Sequence, residues 1–387
     1  MTRVMVVDDS ALMRRLIGGV LTEAGCEVHL ARNGAEALVE LERWEPDVVT
    51  LDINMPEMDG LTALSLMMQT RPTPVVMVSS LTAKGAMATL EAMAMGAVDF
   101  IEKPGGTMSV SLGDMGPVLV AKVKAAARAK VRRPVNRATP ERRPTQAPTR
   151  TAPAAATRAA RDNAPNAQPA AAPASAAQRL KAASATALLH CPGVVLVGVS
   201  TGGPRTLEDI LPQLPANFPW PVVVAQHMPS YFTSAFAVRM NGLCALRVAE
   251  VDAVKPLMPG HIYIGRGGTD MILAERLGRV VVMPHAESPT HPWHPSVDVM
   301  VDSALDLLPP ARIIGVQLTG MGYDGAAAMT RLHQRGGRTL AESEDTAVVF
   351  GMPAELIQRG GAGVVKPCHE VAAQLTAWLP ALSWAKA

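Results

Sequence analysis

Residues 194–204 read VVLVGVSTGGP, an apolar run that ends in a glycine-rich turn carrying Ser200. Such a run predicts a buried strand, and the glycines predict a tight turn into a following helix. Two later apolar runs also stop near a polar side chain, one directly before His227 and the other a few residues before Asp324. Because the carboxyl ends of parallel strands share one edge of a sheet, we expect Ser200, His227 and Asp324 to meet there.

These three residue types suit nucleophilic catalysis on an ester or amide. A serine hydroxyl attacks only when a base removes its proton, and an imidazole held by a carboxylate does this near neutral pH. Free backbone N–H groups in the turn at Thr201 and Gly202 would stabilise the oxyanion that the attack creates. Residues 198–202 match the G-x-S-x-G pattern, but the α/β-hydrolase fold has the order serine, acid, histidine, whereas this chain has serine, histidine, aspartate.

Each of the three residues also has a purely structural explanation. Ser200 suits a helix N-cap, a lone histidine is usually structural, and an aspartate in a glycine-rich turn often serves the turn itself. A nucleotide-binding loop is disfavoured because Ser200 occupies the second glycine of G-x-G-x-x-G. A metal cluster of His285, His291 and His294 is a further alternative, but their spacing matches no familiar zinc motif. The convergence of three strand ends favours the Ser-His-Asp interpretation.

The first hundred residues carry a second group of polar residues at strand ends. Five short apolar strands alternate with amphipathic helices, which predicts a doubly wound parallel sheet with the strand order 2-1-3-4-5. Asp8, Asp9 and Asp52 follow the two strands that are neighbours at its switch point. Their mutual repulsion favours a bound Mg²⁺ ion, and Ser79 and Lys103 add a hydroxyl and a positive charge at two further strand ends. This set suits transfer of a phosphoryl group to Asp52.

The predicted fold class is α/β, with two domains joined by a long linker. Residues 1–125 form the five-stranded, doubly wound parallel domain. Residues 126–187 are rich in alanine, proline and arginine and predict a disordered linker. Residues 188–387 predict an α/β domain with a mostly parallel sheet and a short antiparallel excursion around residues 247–284.

Composition narrows the possible partners and the compartment. Eight arginines against two acidic residues lie in residues 132–162, but no aromatic residue is interleaved for base stacking, so we expect no nucleic-acid partner. The four cysteines are scattered, which predicts neither a disulfide framework nor a zinc ribbon. No apolar run approaches the length of a membrane span, and the start is too soon acidic for a signal peptide. These features predict a cytoplasmic protein that is not embedded in a membrane.

Four motifs of the N-terminal part resemble the receiver domain of response regulators: DDSA, LDINMPEMDG, VSS and DFIEKP. The resemblance implies that a partner histidine kinase phosphorylates Asp52. It implies that Asp9, Asp52 and the backbone carbonyl of Asn54 hold Mg²⁺, with Asp8 acting through water. The residues that it assigns to the receiver switch are Ser79, Phe100 and Lys103.

Five ordered motifs of the C-terminal part resemble the chemotaxis protein-glutamate methylesterase (CheB) family: GVSTGGP, QHMP, PSVD, LTGMGYDGA and VVFGMP. The resemblance implies that Ser200, His227 and Asp324 are the catalytic triad and that Met321 supports the active site. It implies that the substrates are methyl-accepting chemoreceptors, whose glutamate methyl esters are cleaved through an acyl-enzyme and certain of whose glutamines are deamidated. It further implies an unphosphorylated receiver that covers the Ser200 edge, with no cofactor at the esterase site.

Two other functions stay open from the sequence. The first is a phosphorylation-dependent protein that binds receptor arrays without esterase activity, against which the complete triad argues. The second is a DNA-binding response regulator, although the chain has no helix-turn-helix output pattern. The chain also departs from the family pattern at three positions that we expect near the substrate groove, namely Tyr323, His294 and Arg266.

Overall fold

The computed structural model describes residues 1–80, 82–103, 108–131 and 191–379, which form two α/β domains. The strands of the N-terminal domain are β1 (Arg3–Val7), β2 (Glu27–Ala31), β3 (Val48–Asp52), β4 (Val75–Ser79) and β5 (Asp99–Glu102). Its helices are α1 (Ala11–Glu23), α2 (Gly34–Trp44), α3 (Gly60–Thr70), α4 (Ala83–Met95) and α5 (Met108–Ala126). The strands pair in parallel in the order β2-β1-β3-β4-β5, which confirms the predicted doubly wound topology.

Local chemistry fixes the ends of these elements. The side chains that cap helices by accepting a backbone N–H three residues on are those of Ser10, Asn33, Asp59 and Thr82. Gly60 begins α3 so close to β3 that a Cβ atom there would lie 2.0 Å from the carbonyl oxygen of Asp52. Only glycine fits at this position, and the close approach holds the strand end that carries Asp52.

The C-terminal domain is built on a seven-stranded parallel sheet. Its strands, with those of a small second sheet, are β6 (Val194–Val199), β7 (Val222–Gln226), β8 (Arg247–Val251), β9 (Lys255–Pro256), β10 (His261–Gly265), β11 (Asp270–Arg276), β12 (Arg279–His285), β13 (Ile313–Gln317), β14 (Arg338–Glu342) and β15 (Val364–Lys366). Its α-helices are α6 (Gly203–Ile210), α7 (Ser230–Leu243), α8 (Val297–Leu307), α9 (Ala326–Gln334), α10 (Met352–Gln358) and α11 (Cys368–Trp378). The order is β15-β14-β13-β6-β7-β10-β8 in the large sheet and β11-β12-β9 in the antiparallel one.

The mostly parallel sheet with an antiparallel excursion is confirmed, but the excursion is narrower than predicted. Strands β8 and β10 lie within the predicted range of 247–284, yet both pair in parallel as members of the large sheet. Only β9, β11 and β12 are antiparallel. Strand β11 leaves a weaker sequence signal than the central strands, because its short apolar run at residues 271–274 is flanked by charged residues and is only partly buried.

The strand order brings the three predicted strand ends together. β6 lies between β13 and β7 at the centre of the large sheet, and all three run in the same direction. The loops after these strands therefore leave the sheet side by side. These loops carry Ser200, His227 and Asp324, so the topology itself assembles the site.

An apolar cluster continues from the N-terminal domain into the C-terminal one. Helix α4 packs against α6 and α7. The ring of Phe100 on β5 lies 4.2 Å from the ring of Phe232 on α7, measured between centroids, and both rings are buried. The N-terminal domain therefore lies against the carboxyl edge of the large sheet, on the side that includes Ser200.

Two further predictions concern the linker and membrane-spanning helices. The predicted linker of residues 126–187 lies outside the described residues except for positions 126–131. No helix among the described residues has both the length and the apolar content needed to cross a membrane.

Candidate functional site

Ser200 follows β6 in a turn that requires glycine. Its backbone N–H donates to the carbonyl of Thr319 over 2.9 Å, which ties the turn to the end of β13. Gly202 adopts a left-handed conformation with φ of 78° and begins the first turn of α6. A Cβ atom at Gly203 would lie 2.1 Å from Oε1 of Gln226. The two glycines therefore let the helix start directly next to the end of the strand.

His227 follows β7 and contacts Asp324. Its Nε2 lies 2.8 Å from Oδ2 of Asp324, and its backbone N–H donates to the carbonyl of Val199 at the end of β6. Because a carboxylate only accepts hydrogen bonds, Nε2 carries the ring proton. Nδ1 is buried and has no hydrogen-bond partner among the described residues, so its lone pair is available as a base. The side-chain amide of Gln226 donates to the carbonyl of Ser200 over 3.0 Å, which joins this strand end to the serine turn.

Asp324 is buried at the N-terminus of helix α8 and accepts several hydrogen bonds. The hydroxyl of Ser296 donates to its Oδ1 over 2.9 Å, and the backbone N–H groups of Val297 and Asp298 donate over 2.7 and 3.1 Å. Burial alone would raise the pKa of Asp324, but the contact with His227 and these backbone donors bring it below its usual value of 3.8. The carboxylate therefore stays ionised and holds the imidazole in a single tautomer.

The acidic pocket of the N-terminal domain is arranged around a lysine. Asp8, Asp9 and Asp52 place carboxylate oxygens within 4.8 Å of one another. The Lys103 ammonium lies 3.0 Å from Asp8 and 2.8 Å from Asp52. Burial raises the pKa of Asp52, the Lys103 contact opposes this, and the negative charge of Asp8 adds to it. Hard carboxylate oxygens in this number fit a Mg²⁺ ion, which would relieve the repulsion.

The other predicted residues of this pocket lie around it. The backbone of Asn54 lies close enough to Asp52 to oppose the rise in the pKa of that carboxyl. Burial would lower the pKa of Lys103, but its contacts with Asp52 and Asp8 outweigh burial and raise it. The Ser79 hydroxyl is buried at the end of β4 and donates to the carbonyl of Gly85 over 3.4 Å. These positions bring a cation and a hydroxyl to the strand edge that carries Asp52.

The start of β5 contacts the two residues that follow Ser200. The hydroxyl of Thr201 donates to Oδ2 of Asp99 over 2.6 Å, and the backbone N–H of Gly202 donates to the carbonyl of Val98 over 3.1 Å. The ammonium of Lys122 donates to the other Asp99 oxygen over 2.8 Å. Sequence reasoning missed Val98 and Asp99, because no local pattern reports which loop of another domain they meet.

Comparison with known proteins identifies the family. Residues 195–375 match the family model for CheB methylesterase, and residues 4–110 match the response regulator receiver domain. The chain is 53% identical to a protein-glutamate methylesterase/protein-glutamine glutaminase of Rhodospirillum rubrum over 98% of this chain and 96% of that protein. The chain belongs to the CheB methylesterase family.

Other members of the family are similar over the whole chain or over its catalytic part. A protein-glutamate methylesterase/protein-glutamine glutaminase of Rhodopseudomonas palustris is 50% identical over 98% of each chain. The CheB methylesterase catalytic domain of Thermotoga maritima, a solved structure, is 37% identical with a TM-score of 0.46, covering 48% of this chain and 97% of that one. The similarity to the full-length relatives therefore includes both the receiver and the catalytic domain of this CheB-family chain.

One departure of this CheB-family chain from the expected pattern, His294, contacts a buried aspartate. Asp270 is buried at the start of β11, and Nδ1 of His294 lies 3.0 Å from its Oδ1. Asp270 also accepts the backbone N–H groups of Ser288 and Ser296. His285, His291 and His294 do not form a metal-ligand cluster; among the described residues, the side chains close enough together to hold an ion are those of Asp8, Asp9 and Asp52.

The remaining predicted residues flank the catalytic edge of the CheB domain. Met321 is half-buried in the loop after β13, and Tyr323 in the same loop is 53% exposed. Arg266 is exposed after β10. Sequence reasoning also missed Ser296 and Trp293, although a serine directly before an amphipathic helix is an N-cap signal that could have indicated the first.

Proposed function

We propose that the protein is a phosphorylation-regulated protein-glutamate methylesterase that also deamidates glutamines, with Ser200, His227 and Asp324 as its catalytic triad. The observation that carries the proposal is the pairing of His227 with the buried, ionised Asp324 beside the Ser200 turn. The names of the relatives agree with an esterase and glutaminase activity. The substrate class is the methyl-accepting chemoreceptor, acted on in the cytoplasm at glutamate side chains that carry a methyl ester.

The geometry supports a two-step acyl transfer. Nδ1 of His227 takes the hydroxyl proton of Ser200 while the oxygen attacks the ester carbonyl, and Asp324 stabilises the resulting imidazolium. The tetrahedral intermediate collapses as the imidazolium gives its proton to the leaving methoxy group, which departs as methanol. Water then attacks the glutamyl ester on Ser200, with the same imidazole as base, and releases glutamate and the free serine. Ammonia replaces methanol as the leaving product when the substrate is a glutamine amide.

The nucleophile turn supplies the electrostatic part of catalysis. The backbone N–H groups of Thr201 and Gly202 start helix α6, where the helix dipole favours negative charge. They are the groups that would bind the oxyanion of the tetrahedral intermediate. Met321 lines the same strand edge and would shape the cleft that receives the glutamyl side chain.

The receiver domain supplies the regulation. A histidine kinase would transfer a phosphoryl group to Asp52, with Mg²⁺ held by Asp8, Asp9, Asp52 and the Asn54 carbonyl neutralising its oxygens. Ser79, Phe100 and Lys103 would respond to the new charge. Since Val98 accepts the N–H of Gly202, the unphosphorylated receiver occupies a donor that the oxyanion needs. We further propose the domain limits 1–125, 126–187 and 188–387, the middle segment being the linker.

A serine-directed reagent tests the proposal directly. A fluorophosphonate should label the phosphorylated full-length protein on the peptide that contains Ser200, and the label should disappear in Ser200→Ala and weaken in His227→Gln. Absence of label from the phosphorylated wild type would overturn the triad and favour a receptor-binding protein without esterase activity. Ser65→Ala, on a receiver helix, is a matched control that should be labelled as the wild type is.

A further inference from the structure

Three rings lie in contact at the base of the proposed active site. The imidazole of His227 and the indole of Trp293 are parallel to within 2°, with ring centroids 5.7 Å apart. The edge of Tyr323 meets Trp293 at 81° with centroids 5.0 Å apart. Trp293 and Tyr323 come from different loops, so the stack joins the segment before α8 to the loop that carries Asp324.

The surrounding residues leave space for Trp293 and restrain its loop. Gly322 has φ of 81°, and a Cβ atom there would lie 2.8 Å from Cζ2 of Trp293. Any other residue at this position would be strained and would displace the indole. Residues on the C-terminal side of Trp293 are held by Asp270, which binds His294 and the backbone N–H of Ser296.

The imidazole needs more than one restraint. The structure gives its side chain a hydrogen bond at Nε2, to Asp324, while Nδ1 has no hydrogen-bond partner among the described residues. One hydrogen bond fixes the direction of a single atom but leaves the ring plane free to tilt about it. A parallel indole against the ring face removes that freedom, and stacked aromatic rings attract each other in this offset arrangement.

We propose that Trp293 is a positioning residue for His227, a proposal that rests on the proposed esterase function. Trp293 holds the plane of the imidazole so that Nε2 stays on Asp324 and Nδ1 stays on the side from which a proton must be taken. Tyr323 supports the indole from its edge. Tyr323 is a position at which the chain departs from the family pattern. In this arrangement its ring supports the tryptophan that positions the catalytic base.

The test compares Trp293→Phe with Trp293→Ala in the phosphorylated full-length protein, using methanol release from methylated receptor. Displacing a catalytic group by about 1 Å costs on the order of 100-fold in rate, so Trp293→Ala should lower kcat by about 10- to 100-fold and leave KM nearly unchanged. Trp293→Phe keeps a flat ring against the imidazole and should restore most of kcat. Trp378→Ala, which removes another half-buried tryptophan on α11, should match the wild type.

A spectroscopic readout separates positioning from general packing. In protein labelled with ¹⁵N-histidine, the His227 signals, assigned by their loss in His227→Gln, should report a single tautomer protonated at Nε2. They should become averaged between tautomers in Trp293→Ala and stay single in Trp293→Phe.

Two outcomes would overturn the proposal. The first is a kcat of Trp293→Ala equal to that of the wild type, together with unchanged His227 signals. A rise in KM alone would overturn it as well, because it would make Trp293 a substrate contact. If the wild type released no methanol, the esterase proposal would fail, while the tautomer comparison would still judge the stack.

Discussion

The hydroxyl of Thr201, the residue directly after Ser200, donates a 2.6 Å hydrogen bond to the carboxylate of Asp99 in the receiver domain. Asp99 precedes Phe100, and Phe100 packs on Phe232 of the catalytic domain. Strand β5 of the receiver therefore holds the turn that carries Ser200 by direct contact. Movement of this strand would release both the turn and the Gly202 N–H.

Replacing Asp99 should raise the activity of the unphosphorylated protein. Asp99→Asn removes the charge that holds the Thr201 hydroxyl and the Lys122 ammonium. Hydrogen bonds to charged groups contribute about 1.5–3 kcal/mol, and 1.4 kcal/mol is about tenfold in an equilibrium. We expect basal methanol release to rise by about tenfold, with the phosphorylated rate unchanged. Glu23→Gln, an exposed receiver substitution, is the control. A basal rate equal to that of the wild type would show that this contact does not hold the closed state.

The aromatic pair at the interface should be coupled only when the domains are closed. A double-mutant cycle on Phe100→Leu and Phe232→Leu measures the coupling in the free energy of unfolding. Aromatic pairs contribute about 0.5–1.5 kcal/mol beyond their burial, so we expect a coupling of about 1 kcal/mol in the unphosphorylated protein. The coupling should fall toward zero on phosphorylation. An identical coupling in both states would mean that phosphorylation leaves this interface intact.

The acidic pocket should destabilise the receiver at neutral pH. Because burial raises the pKa of Asp52, the native state keeps its proton at pH values where the unfolded chain has lost it, and stability falls as pH rises through that window. Asp52→Asn should remove this fall and raise Tm by a few degrees, the effect of about 1 kcal/mol in a domain of this size. Thermal unfolding with and without Mg²⁺ checks this. Mg²⁺ should stabilise the wild type more than the variant, and equal stabilisation of both would argue against Asp52 as a ligand.

Asp324→Asn should impair both catalysis and stability. The amide cannot hold His227 in the required tautomer, so we expect kcat to fall by about three to four orders of magnitude. The lowered native pKa of Asp324 means that its ionised form stabilises the fold above pH 3.8, and this contribution is lost as the pH falls through the native pKa. The difference in unfolding free energy between wild type and variant should therefore shrink below about pH 4. A constant difference down to pH 2 would contradict the assigned ionisation.

Continuous apolar runs made most of the fold predictable. The runs that end at Ser200, His227 and Asp324 are central strands buried on both faces, and such strands leave a strong local signal. The meeting of the three strand ends then followed from the rule that parallel strands share their carboxyl edge, whereas the order of the seven strands came from the structure alone. The half-exposed β11 and the two-residue β9 lack that signal, which is why the antiparallel segment was placed too broadly.

Contacts between distant segments of the chain could not be predicted from the sequence. Trp293 stacks on His227 across 66 positions of the chain, and Asp99 meets Thr201 across the undescribed linker region. Neither pairing leaves a periodic pattern or a short motif. The departure at His294 could be noticed in the sequence, but only the fold shows that its side chain contacts Asp270.

The most direct test of the central claim is phosphodonor-stimulated methanol release from methylated receptor, measured for wild type, Ser200→Ala and Asp52→Asn. We predict a low basal rate in the wild type that rises strongly with phosphodonor, no release by Ser200→Ala in either state, and a basal rate without stimulation in Asp52→Asn. Full release by Ser200→Ala, or full stimulation of Asp52→Asn, would contradict an esterase at Ser200 controlled by phosphorylation of Asp52.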